Sequence, residues 1–242
     1  MPSQPLLALA LSDVGHVSPR RIGNSIQNVI KAVLFDFGGV VTTSPFDAFV
    51  AYEHANDLPA GLIRRINSTN PDHNAWAALE RGEVTIAEFC ARFEAEALAL
   101  GHRVSGHAVV DCLSGEVRPR MVSAIDRIKA ADLLVACLTN NFRADSDRDP
   151  RKADARPAAA EAMAMFHYVI ESSLVGVRKP ESEFYRKALA IVGIDATEAV
   201  FLDDLGINLK PARAMGMTTI KVVDPDDALS ELGDVLGFAV TG

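Results

Sequence analysis

Apolar and polar positions alternate in two rhythms along the chain. In one, every position of a short run is apolar and the run stops abruptly on a polar residue. Ala32-Val33-Leu34-Phe35 ends at Asp36, Leu133 to Leu138 at Thr139-Asn140-Asn141, and Ala199 to Leu202 at Asp203-Asp204. Uniformly apolar runs of this length predict strands of a parallel sheet, buried on both faces. Weaker runs at His167–Ile170 and Thr218–Val222 predict two more. The other rhythm is helical. Ile86, Phe89, Cys90 and Phe93 fall at i, i+3, i+4 and i+7 behind Thr85, which with Glu88 forms a capping box, and Gly101 closes the segment. Helices are also predicted over 158–166, 181–192 and 208–215. Strand and helix alternate, so the expected fold class is α/β, a Rossmann-like parallel sheet built from βα units.

The alternation is broken once. From Ser44-Pro45-Phe46-Asp47, which has the N-cap serine and first-turn proline of a helix start, residues 45–112 carry helical signals and almost no strand signal. Trp76, Leu79 and Arg81-Gly82-Glu83 mark the end of another helix inside this block. It is too long for a simple crossover, and reads as a small all-helical cap inserted after the first strand. The core would then be residues 30–44 and 113–242. Residues 1–29 show no sustained period and read as a loosely ordered extension. Between Arg143 and Pro157, nine of fifteen residues are charged with both signs mixed. That composition predicts a solvated loop, with substrate gating as the alternative.

Composition narrows the function. The 242 residues carry a net charge of −8, which argues against a generic partner for nucleic acid or anionic membrane. No run reaches the ~18 apolar residues of a membrane helix. The apolar patch Pro5–Leu11 lacks the basic start of a secretion signal. Cys90, Cys112 and Cys137 are odd in number, widely spaced and set in apolar surroundings. They predict buried free thiols and a cytoplasmic protein. The six histidines form no metal-ligand spacing.

Chemistry enters at the strand ends. In open α/β sheets ligands bind at the carboxyl ends of the strands, and three of these ends carry Asp36, Thr139-Asn140 and Asp203-Asp204. Lys179 sits just ahead of a helix. Each suits a part in phosphoryl transfer. A carboxylate can attack phosphorus, a hydroxyl and an amide can hold non-bridging oxygens, and a lysine can neutralise developing charge. Three aspartates against one lysine leave two excess negative charges, which a Mg²⁺ ion, a hard cation preferring oxygen ligands, would cancel.

Taken in order, the aspartate after a buried strand, Thr139, Lys179 and Asp203-Asp204 resemble the four motifs of the haloacid dehalogenase superfamily, over most of residues 31–235. Within it, Leu138-Thr139-Asn140, Val175-Gly176-Val177-Arg178-Lys179-Pro180 and Phe201 to Arg213 resemble the amino-terminal phosphatase domain of soluble epoxide hydrolase. They resemble equally the related domain fused ahead of some acyl-CoA dehydrogenases. The resemblance implies Asp36 as nucleophile and metal ligand, with the Gly38 carbonyl and Asp204 completing the protein's share of a Mg²⁺ site. It implies Thr139 and Asn140 as phosphate-binding, Lys179 as catalytic support, and Asp203 and Asn208 as supporting members of the metal shell. The implied activity is hydrolysis or transfer of phosphate from a small phosphorylated metabolite.

One position departs from the pattern. Two residues after the nucleophile, phosphatases of the superfamily usually carry a second aspartate that protonates the leaving group, and here stands Gly38. Acid–base assistance is worth ~10²–10⁴ in rate. Two alternatives therefore stay open: a fold retained for binding a phosphorylated ligand or partner, and a 2-haloacid dehalogenase, which needs no proton donor. The residues that choose a substrate are expected in the helical block, with Trp76, Arg64, Arg65 and Arg81 as candidates.

Overall fold

The computed structural model describes residues 29–142 and 157–241. Five strands form one parallel sheet in the order β3-β2-β1-β4-β5. They are β1 (Ala32–Phe35), β2 (Leu134–Thr139), β3 (Tyr168–Glu171), β4 (Ala199–Asp203) and β5 (Thr218–Lys221). The run Ala32–Phe35 has no exposed residue because both of its faces are covered. Val33 and Phe35 point to one side, into a cluster with Val135, Cys137, Val200, Leu202 and Ile220 of neighbouring strands. Ala32 and Leu34 point to the other, with Ala136, Leu138, Ala199 and Phe201. Successive side chains of a strand alternate between faces, so a uniformly apolar run needs a layer on each.

Helices supply both layers. On the Val33 face lie α6 (Pro119–Ala130), through Met121, Ala124, Ile125 and Ile128, and a C-terminal helix, Pro225–Leu236, through Ala228, Leu229 and Leu232. On the Leu34 face lie Ser182–Val192, through Phe184, Tyr185 and Ala188, and Gly206–Ala214, through Leu209 and Ala212. In chain order the helices after α6 are α7 (Pro157–Ala164), α8 (Ser172–Val175), α9 (Ser182–Val192), α10 (Gly206–Ala214) and α11 (Pro225–Leu236). Strand bounds fall within one or two residues of those expected from the apolar runs. The expected extension, except Val29, and the charged stretch, except Pro157 that opens α7, lie outside the described residues.

Between β1 and α6 come five helices: α1 (Pro45–Ala55), α2 (Leu62–Ser68), α3 (Ala75–Glu80), α4 (Ile86–Ala99) and α5 (Gly106–Asp111). Ser44 caps α1 with Pro45 at its first position, and Thr85 and Glu88 form the capping box of α4. These helices share a third apolar cluster of their own, built on Phe49, Ile63, Leu79, Phe89, Phe93 and Val109. Trp76 stands edge-on to both Phe49 and Phe89, at 6.2 and 5.4 Å between ring centres.

The chain enters and leaves this helical unit through two paired segments. Thr42 and Val117 form an antiparallel bridge. Beside it Thr43 N–H donates to Glu116 O at 2.8 Å, Arg118 N–H to Val41 O at 2.9 Å, and Glu116 N–H to Thr43 Oγ1 at 2.9 Å. Gly115 completes the pairing, since a Cβ there would lie 2.5 Å from Thr43 O. Cys90, Cys112 and Cys137 are all free thiols; Cys112 is only partly buried. Among the described residues no helix is long and apolar enough to cross a membrane.

Candidate active site

The strand order reverses direction between β1, which continues to β2 on one side, and β4 on the other. Parallel sheets open a crevice at the carboxyl ends of the strands beside such a switch. Asp36 follows β1 and Asp203 ends β4, so the topology brings them together. Asp36 N–H donates to Leu202 O at 2.8 Å, which extends the β1–β4 ladder by one rung and fixes the aspartate at the crevice floor. Carboxylate oxygens of Asp36, Asp203 and Asp204 come within 4.8 Å of one another.

Lys179, 1 % exposed, balances part of this charge. Its Nζ lies 2.9 Å from Asp36 Oδ1 and 2.7 Å from Asp203 Oδ2. Burial opposes the ammonium, but the charges of Asp203 and Asp36 outweigh it and hold Lys179 protonated above its ordinary range. Asp203, fully buried, is saturated by further donors. Its oxygens accept from Asn208 Nδ2 at 3.0 and 3.1 Å and from Leu205 N–H at 2.8 Å. Asp36 Oδ1 also accepts from Phe37 N–H at 2.6 Å. Asp36 Oδ2 and the carboxylate of Asp204 take no hydrogen bond from another side chain of the described residues. Burial pushes the pKa of Asp36 well above the carboxylate range, against the pull of Lys179 and with Asp203 and Asp204 adding to it. Asp204 is pushed up to about 6, by burial first and then by Asp203.

Ionised, three acids against one lysine would leave two excess negative charges, and among the described residues no other side chain donates to Asp36 Oδ2 or to Asp204. That set of hard oxygen donors fits Mg²⁺. Asp36 and Asp204 are the carboxylates free to hold it. Asp203 and Asn208, tied to each other, stand behind them.

The glycines after Asp36 differ in what they permit. Gly38 has φ −72° and ψ 128°, an extended conformation open to any residue, and a Cβ there would meet nothing within 4 Å. Gly39 has φ +82°, and a Cβ there would lie 2.4 Å from Asp204 Oδ2. The sharp turn and the close approach both belong to Gly39. Thr139, at the end of β2, is buried, and its hydroxyl has no hydrogen bond to the described residues.

The side chain of Asn140 is engaged elsewhere. Its Oδ1 accepts from Lys179 N–H at 2.9 Å, and its Nδ2 donates to Lys179 O at 3.0 Å and to Glu80 Oε2 at 3.2 Å. Asn140 thus grips the peptide that carries Lys179, which leaves its backbone amide as the group to offer a phosphate. Glu80, the last residue of α3, had no signal in the apolar pattern. It also accepts from Arg178 Nη1 at 2.7 Å and from Trp76 Nε1 at 3.0 Å. Burial raises its pKa, against the pull of Arg178. Arg178 reaches farther into the helical unit through a hydrogen bond to Pro71 O. Adjacency to Lys179 was the one sequence feature that pointed to it.

Of the four substrate candidates, Arg64 is exposed over the Phe46 ring at 4.7 Å and Arg65 is exposed. Arg81 is paired with Glu83 and Glu181, and Trp76 is packed in the helical cluster with its indole N–H on Glu80. None of them makes a contact with the carboxylate cluster.

Comparisons with known proteins place the chain in a family. The profile of the haloacid dehalogenase-like hydrolases matches residues 30–216. Acyl-CoA dehydrogenase family member 10 of Mus musculus is 35% identical over 214 residues, and Bifunctional epoxide hydrolase 2 of Sus scrofa is 29% identical over 219. Each match covers 86% of this chain, but only 19% and 39% of those longer proteins. The Sesquiterpene phosphatase astK of Aspergillus oryzae is 29% identical over 211 residues, covering 86% of this chain and 97% of its own. A family enzyme from Bacteroides thetaiotaomicron, solved in complex with magnesium and inorganic phosphate, superposes with a TM-score of 0.55 at 21% identity. It covers 79% of this chain and 93% of its own.

Proposed function

Since the chain belongs to the haloacid dehalogenase-like hydrolases, we propose that it is a Mg²⁺-dependent phosphohydrolase or phosphotransferase, acting on a small phosphorylated metabolite through an aspartyl-phosphate at Asp36. The observation that carries this reading is the asymmetry of the Asp36 carboxylate. Oδ1 is held by Lys179 and by Phe37 N–H, while Oδ2 takes no hydrogen bond from a side chain of the described residues. In this reading one oxygen of the Asp36 carboxylate attacks phosphorus and the ester oxygen leaves with its electron pair, taking a proton from solvent. Water then cleaves the acyl phosphate, releasing inorganic phosphate and restoring the carboxylate. Asp36, Asp204 and the Gly38 carbonyl would hold Mg²⁺, which supplies charge neutralisation for the bound phosphoryl group. Thr139 Oγ1 and the Asn140 amide would bind the non-bridging oxygens, and Lys179 would offset the charge that builds on them. The helical unit, residues 45–112, would serve as the cap over a core of residues 30–44 and 113–242. The phosphatase name of the A. oryzae relative supports the reaction class, and the three free cysteines support a reducing compartment.

The test is binding of beryllofluoride, a mimic of the acyl phosphate, in the presence of Mg²⁺. Wild type should bind it and Asp36→Asn should not, and p-nitrophenyl phosphate turnover should fall at least 10³-fold in the variant. Equal binding by the two proteins would place the chemistry elsewhere. Cation-independent release of chloride from 2-chloropropionate would instead favour the dehalogenase alternative that Gly38 keeps open.

A further inference from the structure

We infer that Glu80 is a positioning residue of this site, acting from the helical unit through Asn140 and Arg178 to fix the peptide that carries Lys179. The argument begins with donors and acceptors. Glu80 is met by three groups that can only donate toward it: Trp76 Nε1, Arg178 Nη1 and Asn140 Nδ2. A carboxyl oxygen that faces an N–H group can only accept from it. It therefore dictates which way the Asn140 amide faces, because only Nδ2 can be turned to it. With Nδ2 on Glu80, Oδ1 is left for Lys179 N–H, and the same Nδ2 also closes on Lys179 O. Both polar atoms of the Lys179 backbone are held by one side chain whose orientation is set by Glu80. The preceding residue is held too, since Arg178 spans from Glu80 to Pro71 O. From that fixed peptide the Lys179 side chain runs into the core and ends between Asp36 and Asp203.

The same bonding removes Glu80 from another role. It is an acid of the helical unit in contact with a strand-end residue, Asn140, and Gly38 offers no side chain to protonate a leaving group. Its two oxygens are engaged by three donors and turned to none of the reacting groups, so Glu80 orients Lys179 and does not stand in for the absent aspartate. The catalytic consequence rests on the phosphoryl-transfer reading above, whereas the clamp itself does not.

The experiment uses the full chain and two readouts, one of them free of activity. Glu80→Leu keeps most of the bulk and removes both acceptor oxygens, whereas a glutamine would keep its oxygen on Asn140 and Arg178 and give up only Trp76; in the leucine variant the amide of Asn140 loses its fixed partner. In ¹⁵N–¹H spectra the Lys179 backbone amide and the Asn140 side-chain amide should both shift, and exchange of Lys179 N–H with solvent should quicken on the order of tenfold or more. With p-nitrophenyl phosphate and Mg²⁺, kcat should fall by about 10- to 100-fold while KM stays within about twofold, because the lysine is misplaced but the substrate contacts remain. Wild-type values for both exchange and kcat in Glu80→Leu would overturn the assignment. So would a loss in which KM rises as steeply as kcat falls and the melting temperature drops, since that pattern marks a purely structural role. If the variant does not fold, the wild type alone decides: a Lys179 N–H that exchanges as fast as an open loop amide refutes the clamp. Changed resonances together with wild type inactive on every phosphate ester would uphold the clamp and sink the proposed reaction instead.

Discussion

At the scale of single residues, Gly38 and Gly39 stand side by side yet constrain the site in opposite ways. The sequence pattern groups them as one flexible pair, and only the backbone angles separate them. Gly38 sits in an extended conformation with open space where a side chain would start, so an aspartate fits there without strain. Gly38→Asp is predicted to fold as wild type does and to raise turnover of alkyl phosphates on the order of tenfold or more, by supplying the missing proton donor. Aryl phosphates, whose leaving groups depart unaided, should gain little. Kinetics on the two ester types check this, and an unchanged alkyl-to-aryl ratio would show that the absent acid is not what limits the reaction. Gly39→Ala should cost about 1–3 kcal/mol from its left-handed backbone alone, and would push against Asp204. Asp36, Thr139, Lys179 and Asp203-Asp204 were legible because each stands where an apolar run or a loop ends, and position in the pattern is enough to mark them. Asn140 was legible as a site residue, but its grip on the Lys179 peptide was not, because that depends on which way an amide turns.

At the scale of elements, the strands were readable since both of their faces had to be apolar, and the capped helices since their first turns carry recognisable residues. Helices α6 and α11 went unremarked, although the signals are present. Pro119 opens one, with Met121, Ala124, Ile125 and Ile128 on one face, and Asp224 caps the other ahead of Pro225. The edge of the sheet holds a titratable link that no apolar pattern reveals. His167, just before β3, accepts Val135 N–H on its Nδ1 at 3.0 Å and so ties the entrance of β3 to β2. Burial, with a smaller push from Lys129, lowers its pKa below 6.5. The unfolded chain then binds more protons than the folded one as pH falls past 6.5, so stability must drop in that direction. The contribution is complete above pH 6.5 and lost below the folded value, and is worth no more than about 1 kcal/mol, the net value of one hydrogen bond. His167→Asn keeps an acceptor that does not titrate. Its melting temperature should fall less than wild type's between pH 7 and pH 5, and parallel curves for the two proteins would refute the link.

At the scale of the whole molecule, charge and connectivity dominate. A chain of net charge −8 gathers three aspartates around one lysine in a single crevice. Binding to the native state adds about 2.7 kcal/mol at a hundredfold excess over Kd, or roughly 5–10 °C for a chain of this size. Millimolar Mg²⁺ should therefore raise the melting temperature relative to EDTA. Asp204→Asn should lose most of that rise while melting no lower than wild type in EDTA, since it removes a repelling charge. A wild type indifferent to Mg²⁺ would rule out the metal site. The five-helix unit was visible as an interruption in strand signals, but its attachment was not, because the paired linkers are too short to carry a pattern. Those linkers change how the insertion counts in the chain's economy. With Thr42 bridged to Val117, the sheet sees the whole helical unit as the loop of a hairpin. Loop closure grows only logarithmically, so stretching such a loop from about four residues to roughly seventy costs only about 2.5 kcal/mol. The strands are thus nearly indifferent to what hangs from that rung, and one helical unit could replace another once the contacts of Pro71, Glu80 and Arg81 with Asn140, Arg178 and Glu181 were rebuilt.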